Sequence, residues 1–533
     1  MWPQTYAPVA GNLQLSALVA VIPVFVVLLL LGVFRKPAWV AAVAGFIASA
    51  IVSVAAYHMP VMLAVSSALY GAANGMLPIG WIVFTAILLY RVTVDTGKFD
   101  IIKDSLGSVT SDRSMQALLI AFAFGGFIEG AAGFGTPVAI AAAMLVGLGF
   151  PPFLAASVCL LANTAPVAFG SIGTPLIMLQ RVTNLPIDGL SADVGRLCAP
   201  LALILPSYLM LVMGGLPALR AALPAAIVCG LAFGGVQFLI SSYIGPNLAG
   251  LLAAIAAMGA LLLLLRFWTP PGDEKRSASR HTPGEIFLAW SPYLLLVIFV
   301  LLWGSASTKA ILDKATVIFP WPGLHNLITR MPPITPQAAP YGAPYTLNLL
   351  SASGTSCLFA VFASALVLRV SPPMLAKMTW FTAKQLALPL LTIAAVVALA
   401  FIMNYSGQTA TLGLVAAKTG AAFPFFSTLL GWMGVFLTGS DTSANALFGT
   451  LQVVTANQLG LNPVLMAAAN SSGGVMGKMV SLQSIAVAAA ATGMPASDEP
   501  KLFRFTLRHS LFLAFIIALI VSIYAYCLPG WAK

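Results

Sequence analysis

Several stretches of this chain, among them residues 13–34, 248–267 and 507–527, are almost uninterrupted apolar sequence. Each exceeds the roughly 18 residues needed to cross a hydrocarbon core about 30 Å thick. In that core a helix satisfies its own amides and carbonyls, whereas an open strand or loop does not. The chain is 60% hydrophobic and 7% charged, against roughly 25% charged residues in a soluble domain, so a soluble globule is excluded. Lys and Arg number 25 against 14 acids, a net charge of +11. The excess falls between apolar runs, at Arg35 and Lys36, Lys275 and Arg276, Arg369, Arg504 and Arg508. That is the distribution of cytoplasmic loops beside a lipid bilayer, and no nucleic-acid partner is expected. The first run is too long for a signal-peptide core and lacks a basic lead-in, so it reads as a retained span. The five cysteines lie in apolar sequence without ligand or disulfide spacing and read as packing residues.

Hydropathy and loop charge together predict an all-α polytopic membrane protein of about 12 spans plus two re-entrant helical hairpins. Spans are expected at 13–34, 38–57 and 61–90, the third bent near Asn74, Gly75 and Pro78. Residues 91–113 read as an amphipathic cytoplasmic segment, 115–150 as a hairpin, 152–182 as a span broken at 163–175, and 191–214 as a further span. Linking spans at 221–240 and 247–268 lead to a charged loop, 269–285. The plan then repeats: spans 286–304, 347–368 and 386–404, a weakly amphipathic segment 405–422, hairpin arms 424–437 and 443–456, a broken span 462–490 and a last span 508–528. Counting crossings makes the halves oppositely oriented, an inverted repeat. The expected divisions are 1–220 (first repeat), 221–285 (linking spans and loop) and 286–533 (second repeat). The charge bias places both termini outside, together with the Pro-rich loop 305–346, which carries no apparent chemistry.

Four polar, glycine-rich islands interrupt the apolar sequence at 129–137, 163–175, 438–445 and 470–481. Broken backbone at membrane depth persists where protein, water or ligand satisfies it, and helix N-termini opening from such breaks offer N–H groups to an anion. The competing account, glycines for close helix packing, is weaker for four paired islands than for one. The expected substrate-binding residues are Gly133, Gly135, Thr136, Asn163, Thr164, Ser171 and Thr174 in the first half. Those in the second are Thr442, Ser443, Asn445, Asn470, Ser471, Ser472 and Lys478. Glu129 and Asp441, the acids of the islands, are assigned to proton coupling, because an ionised carboxylate is costly to bury in a membrane. Lys478 either receives a substrate carboxylate or pairs with Asp441, and in the second case Glu129 is the better proton carrier. Arg196 reads as a snorkelling side chain, and His58, His281, His325 and His509 as surface residues. No metal spacing, phosphate-loop motif or catalytic triad emerges, so neither a cofactor nor an enzyme activity is expected.

Four long motifs carry a resemblance: FIEGAAGFGTPVAIAAAMLVGLGF (127–150), LANTAPVAFGSIGTP (161–175), GSDTSANALFGTLQ (439–452) and AAANSSGGVMGKMVSLQSIAVA (467–488). The chain resembles the L-lactate permease family, which includes glycolate permeases, through most of its length. The resemblance implies uptake of 2-hydroxy monocarboxylates (L-lactate, D-lactate, glycolate) by proton symport across a bacterial inner membrane. It also implies an ion-transporter-superfamily fold with paired hairpins and elevator-like motion. Sodium-coupled carboxylate or dicarboxylate transport and a passive anion channel are the alternatives, and oligomeric state is left open.

Overall fold

In the computed structural model, residues 1–133, 136–270 and 281–531 are described. Gly135, Lys275, Arg276, Arg280, Lys533 and the side chain of Thr136 lie outside that description. Among the described residues, 11 helices are long and apolar enough to cross a membrane, or up to 12 if one bent pair counts as a span. Helices Leu13–Gly32, Ala38–Ala55, Pro283–Gly304 and Glu499–Tyr526 bury only 33% of their most apolar windows, whereas Arg113–Ala131 buries 94%. The first group therefore faces lipid along most of its surface, and the second is enclosed by protein.

The order of elements occurs twice. A 35-residue helix, Val61–Asp95, precedes a short helix Lys98–Gly107, a hairpin of Arg113–Ala131 with Thr136–Gly147, and a broken pair, Pro152–Ala162 and Val167–Thr183, bent by 64°. In the second half Pro372–Ser406, also 35 residues, precedes Gln408–Ala416, a hairpin of Phe423–Thr438 with Asp441–Leu459, and a broken pair, Pro463–Lys478 and Leu482–Thr492. The expected bend in the third span is present: Leu77 leaves helical geometry at φ −125°, ψ 117°. The first hairpin closes on itself, because Arg113 donates to the Gly149 carbonyl at 3.4 Å and lies over the Phe150 ring. Lys98–Gly107 buries Phe99, Ile102 and Leu106, the single apolar stripe expected of an amphipathic helix.

Other expectations are corrected. The expected spans 191–214 and 221–240 are both present, as the two arms of Ile187–Tyr243, which turns back at Gly214 and Gly215 so that Ser191 donates to the Ser241 carbonyl at 2.7 Å; the arms are longer than expected. The expected span 347–368 shortens to Ser353–Val367, about 22 Å at 1.5 Å per residue and too short to cross alone. Its first residue, Leu347, instead ends an antiparallel pair, Val317–Pro320 with Pro344–Leu347. Residues 386–404 and 508–528 extend to Pro372–Ser406 and Glu499–Tyr526. In the weakly amphipathic segment after 405, Gln408 donates to Ser53 Oγ at 2.7 Å and Thr411 to the Tyr6 carbonyl at 2.8 Å, so these polar side chains point inward. His509 lies within Glu499–Tyr526, half-buried and bonded to the Tyr208 hydroxyl at 2.5 Å.

The largest correction concerns residues 470–481. Asn470, Ser471 and Ser472 lie inside the uninterrupted helix Pro463–Lys478, and the break is confined to residues 479–481. The glycines here serve packing. A side chain at Gly473 would collide with the Thr428 carbonyl, one at Gly477 with the Trp432 carbonyl, and one at Gly431 with the Asn470 carbonyl. Phe423–Thr438 thus crosses Pro463–Lys478 backbone to backbone, as small residues permit between membrane helices.

Candidate functional site

Where the hairpin tips and breaks meet, a cavity of about 290 Å³ opens, lined by Glu129, Ser171, Asp441, Thr442, Ser443 and Lys478. Each is placed by a specific local device. Ser171, Ile172 and Gly173 all have positive φ (44°, 59° and 77°), a left-handed run that two non-glycine residues adopt only against their preference. Ser171 Oγ donates to the Ala132 carbonyl at 2.6 Å, fastening this break to the first hairpin tip. Glu129 Oε1 occupies the space a side chain at Gly170 would fill, 2.8 Å from that position, so glycine makes room for the carboxyl. Gly439, at φ 72°, ends the helix Phe423–Thr438, and Ser440 caps the next by accepting from the Ser443 amide at 3.3 Å. Asp441 therefore sits in the first turn of its helix, where the dipole favours negative charge.

The second acid is held by a chain of polar side chains. Asp441 Oδ2 accepts from Ser471 Oγ at 2.6 Å and Asn445 Nδ2 at 3.4 Å. Asn445 also donates to the Pro175 carbonyl at 3.1 Å, joining the second hairpin to the first broken span. Asn470 donates to Asn445 Oδ1 at 2.9 Å and Gln452 to Asn470 Oδ1 at 3.0 Å. Asn445, Asn470 and Ser471 thus stand behind the cavity and orient one of its walls. Gln452, absent from the expected set, lies on the helix of Asp441 and Asn445, and that polar stripe was its available signal. Lys478 Nζ donates to the Gly439 carbonyl at 2.7 Å. None of the ion pairs among the described residues involves Lys478, Glu129 or Asp441, so of the two roles considered for Lys478 the pair with Asp441 is not formed. Glu129 Oε2 and Asp441 Oδ1 are buried and have no hydrogen-bond partner among the described residues.

The remaining expected residues divide. Gly133 lies against Ser171 and Glu129, and Thr174 Oγ1 donates to the Ser171 carbonyl at 2.5 Å. Asn163 stands beside Glu129, with neither side-chain polar atom making a well-formed hydrogen bond to a described residue. Thr164 faces a separate crevice beside Cys198, its hydroxyl donating to the Leu161 carbonyl at 2.7 Å, and Ser472 also lies against Cys198. Arg196 donates to Asp193 at 3.0 Å and to the Trp531 carbonyl, away from the cavity. The wall opposite the polar tips was not anticipated: Trp39 from Ala38–Ala55, and Leu388, Pro389, Thr392 and Ile393 from Pro372–Ser406.

The profile of the family described as L-lactate permease matches residues 16–528. The L-lactate permease of Bacillus subtilis (strain 168) is 45% identical over 551 aligned residues, covering 97% of each chain. Glycolate permease GlcA of Escherichia coli (strain K12) is 43% identical over 555, covering 99% of each. The solved structure of MtrF from Neisseria gonorrhoeae aligns over 86% of this chain and 84% of its own, at 13% identity and a TM-score of 0.47. With apolar helices throughout and near-complete alignment to these relatives, this chain is a multi-pass transporter of the bacterial plasma membrane and belongs to the L-lactate permease family.

Proposed function

We propose that the protein takes up 2-hydroxy monocarboxylates, L-lactate, D-lactate and glycolate, by proton symport, and that the cavity between the hairpin tips holds the substrate. The observation that carries this reading is the joining of one lysine and two carboxyls around a single small cavity. Its volume, about 290 Å³, lies at the lower end of the roughly 300–1,000 Å³ typical of small-molecule pockets. Lys478 supplies the cation for a carboxylate, and Ser171, Thr442 and Ser443 supply hydroxyls for the 2-hydroxyl group. With both acids ionised the three charged groups sum to minus one, and an anion entering would add to the repulsion. With one acid protonated they sum to zero, and the entering anion meets one negative charge fewer. Binding of proton and substrate therefore reinforce each other, as symport requires.

The halves, 1–220 and 286–533 with 221–285 between, fit two inverted repeats, since the order of elements recurs and each half contributes one hairpin and one broken pair to the cavity. An elevator motion is favoured by the cavity's composition: one wall is built from hairpins and breaks, the other from Trp39 and the middle of Pro372–Ser406. Sliding the first group along the second changes exposure while keeping the polar wall intact.

The test is uptake of labelled L-lactate, D-lactate and glycolate into proteoliposomes. An alkaline interior should drive accumulation, up to about tenfold per pH unit for one proton per substrate. Accumulation driven by a sodium gradient alone would replace the proton reading. Large unitary currents without coupled proton flux would replace the carrier with a channel.

A further inference from the structure

A second and larger cavity, about 460 Å³, lies at the far end of the helix that carries Ser171. It is lined by Gln180, Arg181 and Asn184 from that end, by Asn247, by Lys309 from the Pro-rich loop 305–346 and by Asn348 just beyond it. That loop was expected to carry no chemistry, yet it contributes Lys309 and Asp313 to one wall of this partly open space. From Pro175, which borders the central cavity, to Arg181 is about 9 Å of helix.

Arg181 is the unexplained group. Its Nε is buried and has no hydrogen-bond partner among the described residues. The ion pairs among the described residues include neither Arg181, Lys309 nor Asp313, the acid in the lining. The phenols near Arg181, Tyr70 and Tyr345, donate their protons to the carbonyls of Pro344 (2.8 Å) and Ala73 (3.2 Å). A guanidinium is permanently charged and presents a planar fork matched to a carboxylate, and burying part of one without an anion is unfavourable. A side chain that merely snorkels would extend all its nitrogens into water, which the buried Nε does not do.

We infer that the Arg181–Lys309 cavity is a second binding site for small carboxylates, an access site from which substrate passes to the central cavity. Substrate is held there by the forked guanidinium, with the asparagines and Gln180 available to the 2-hydroxyl. This rests on the proposed carboxylate specificity of the central cavity, so the test reads both sites separately. Single thiols are introduced as Ser351→Cys in the access cavity and Thr442→Cys in the central one, in a Cys527→Ser background, because the other four cysteines are buried. The rate of reaction with an anionic methanethiosulfonate is measured with L-lactate or with chloride at equal ionic strength. L-lactate should slow the Ser351→Cys reaction several-fold relative to chloride, and Arg181→Gln should remove that protection while protection of Thr442→Cys persists. Lys309→Gln, an exposed position tolerant of change, should weaken the protection and supplies the second variant if Arg181→Gln does not fold. Protection of Thr442→Cys without protection of Ser351→Cys overturns the access site alone. Protection of neither overturns the central reading as well. Equal protection by chloride overturns the carboxylate assignment.

Discussion

Lys478→Gln should lower L-lactate affinity by about 100-fold, the largest loss expected of any single substitution. Removing one partner of a buried, hydrogen-bonded charge pair costs about 2–5 kcal/mol, and each 1.4 kcal/mol is tenfold in affinity. Lys478 is buried at the C-terminal end of Pro463–Lys478, and its ammonium has only the Gly439 carbonyl as a hydrogen-bond partner among the described residues. No carboxylate among the described residues forms an ion pair with it, so a substrate carboxylate is the counter-ion its position calls for. Equilibrium binding of labelled L-lactate to purified protein measures the effect, with elution as a folded species as the control. Affinity within a few-fold of the unsubstituted protein would remove Lys478 from the site.

Glu129→Gln should abolish proton-driven accumulation while L-lactate exchange down its gradient continues. The two acids differ in what holds their anions. Asp441 Oδ2 takes hydrogen bonds from Ser471 and Asn445 in the first turn of a helix, donors that favour a charged carboxylate. Glu129 is packed against Gly170 with its Oε2 unbonded among the described residues. Glu129 is therefore the acid better suited to arrive with a proton and release it, and glutamine copies its protonated form. This ranking rests on the hydrogen bonds and not on a Lys478–Asp441 ion pair, which is not formed among the described residues. Uptake with and without an imposed pH gradient separates exchange from accumulation. Normal accumulation by Glu129→Gln would move the coupling proton elsewhere, with Asp441→Asn the next variant to measure.

What the sequence disclosed depended on contrast. Polar and glycine-rich residues inside apolar runs are conspicuous, so the breaks at 163–173 and at 439–440 were legible, and with them Glu129, Ser171, Asp441, Thr442, Ser443 and Lys478. The same contrast misled at 470–478. Gly473 and Gly477 look like a break, yet they let two helices touch backbone to backbone, and only the position of the Thr428 and Trp432 carbonyls distinguishes the two uses. Trp39, Leu388 and Ile393 were invisible because they are apolar residues in apolar helices, and their place in the cavity depends on which helix faces the hairpins. Lys309 falls in the loop read as outside, and Arg181 at the end of the expected broken span 152–182. They share one cavity, but nothing in their separation along the chain shows that they meet.

The central claim is that both hairpins and both breaks converge on one carboxylate site, and an experimental structure with L-lactate bound tests it most directly. The account places the substrate carboxylate within hydrogen-bonding distance of Lys478, with Ser171 on one side and Thr442 or Ser443 on the other. L-lactate resolved at another position, with these side chains making no contact to it, would contradict the account.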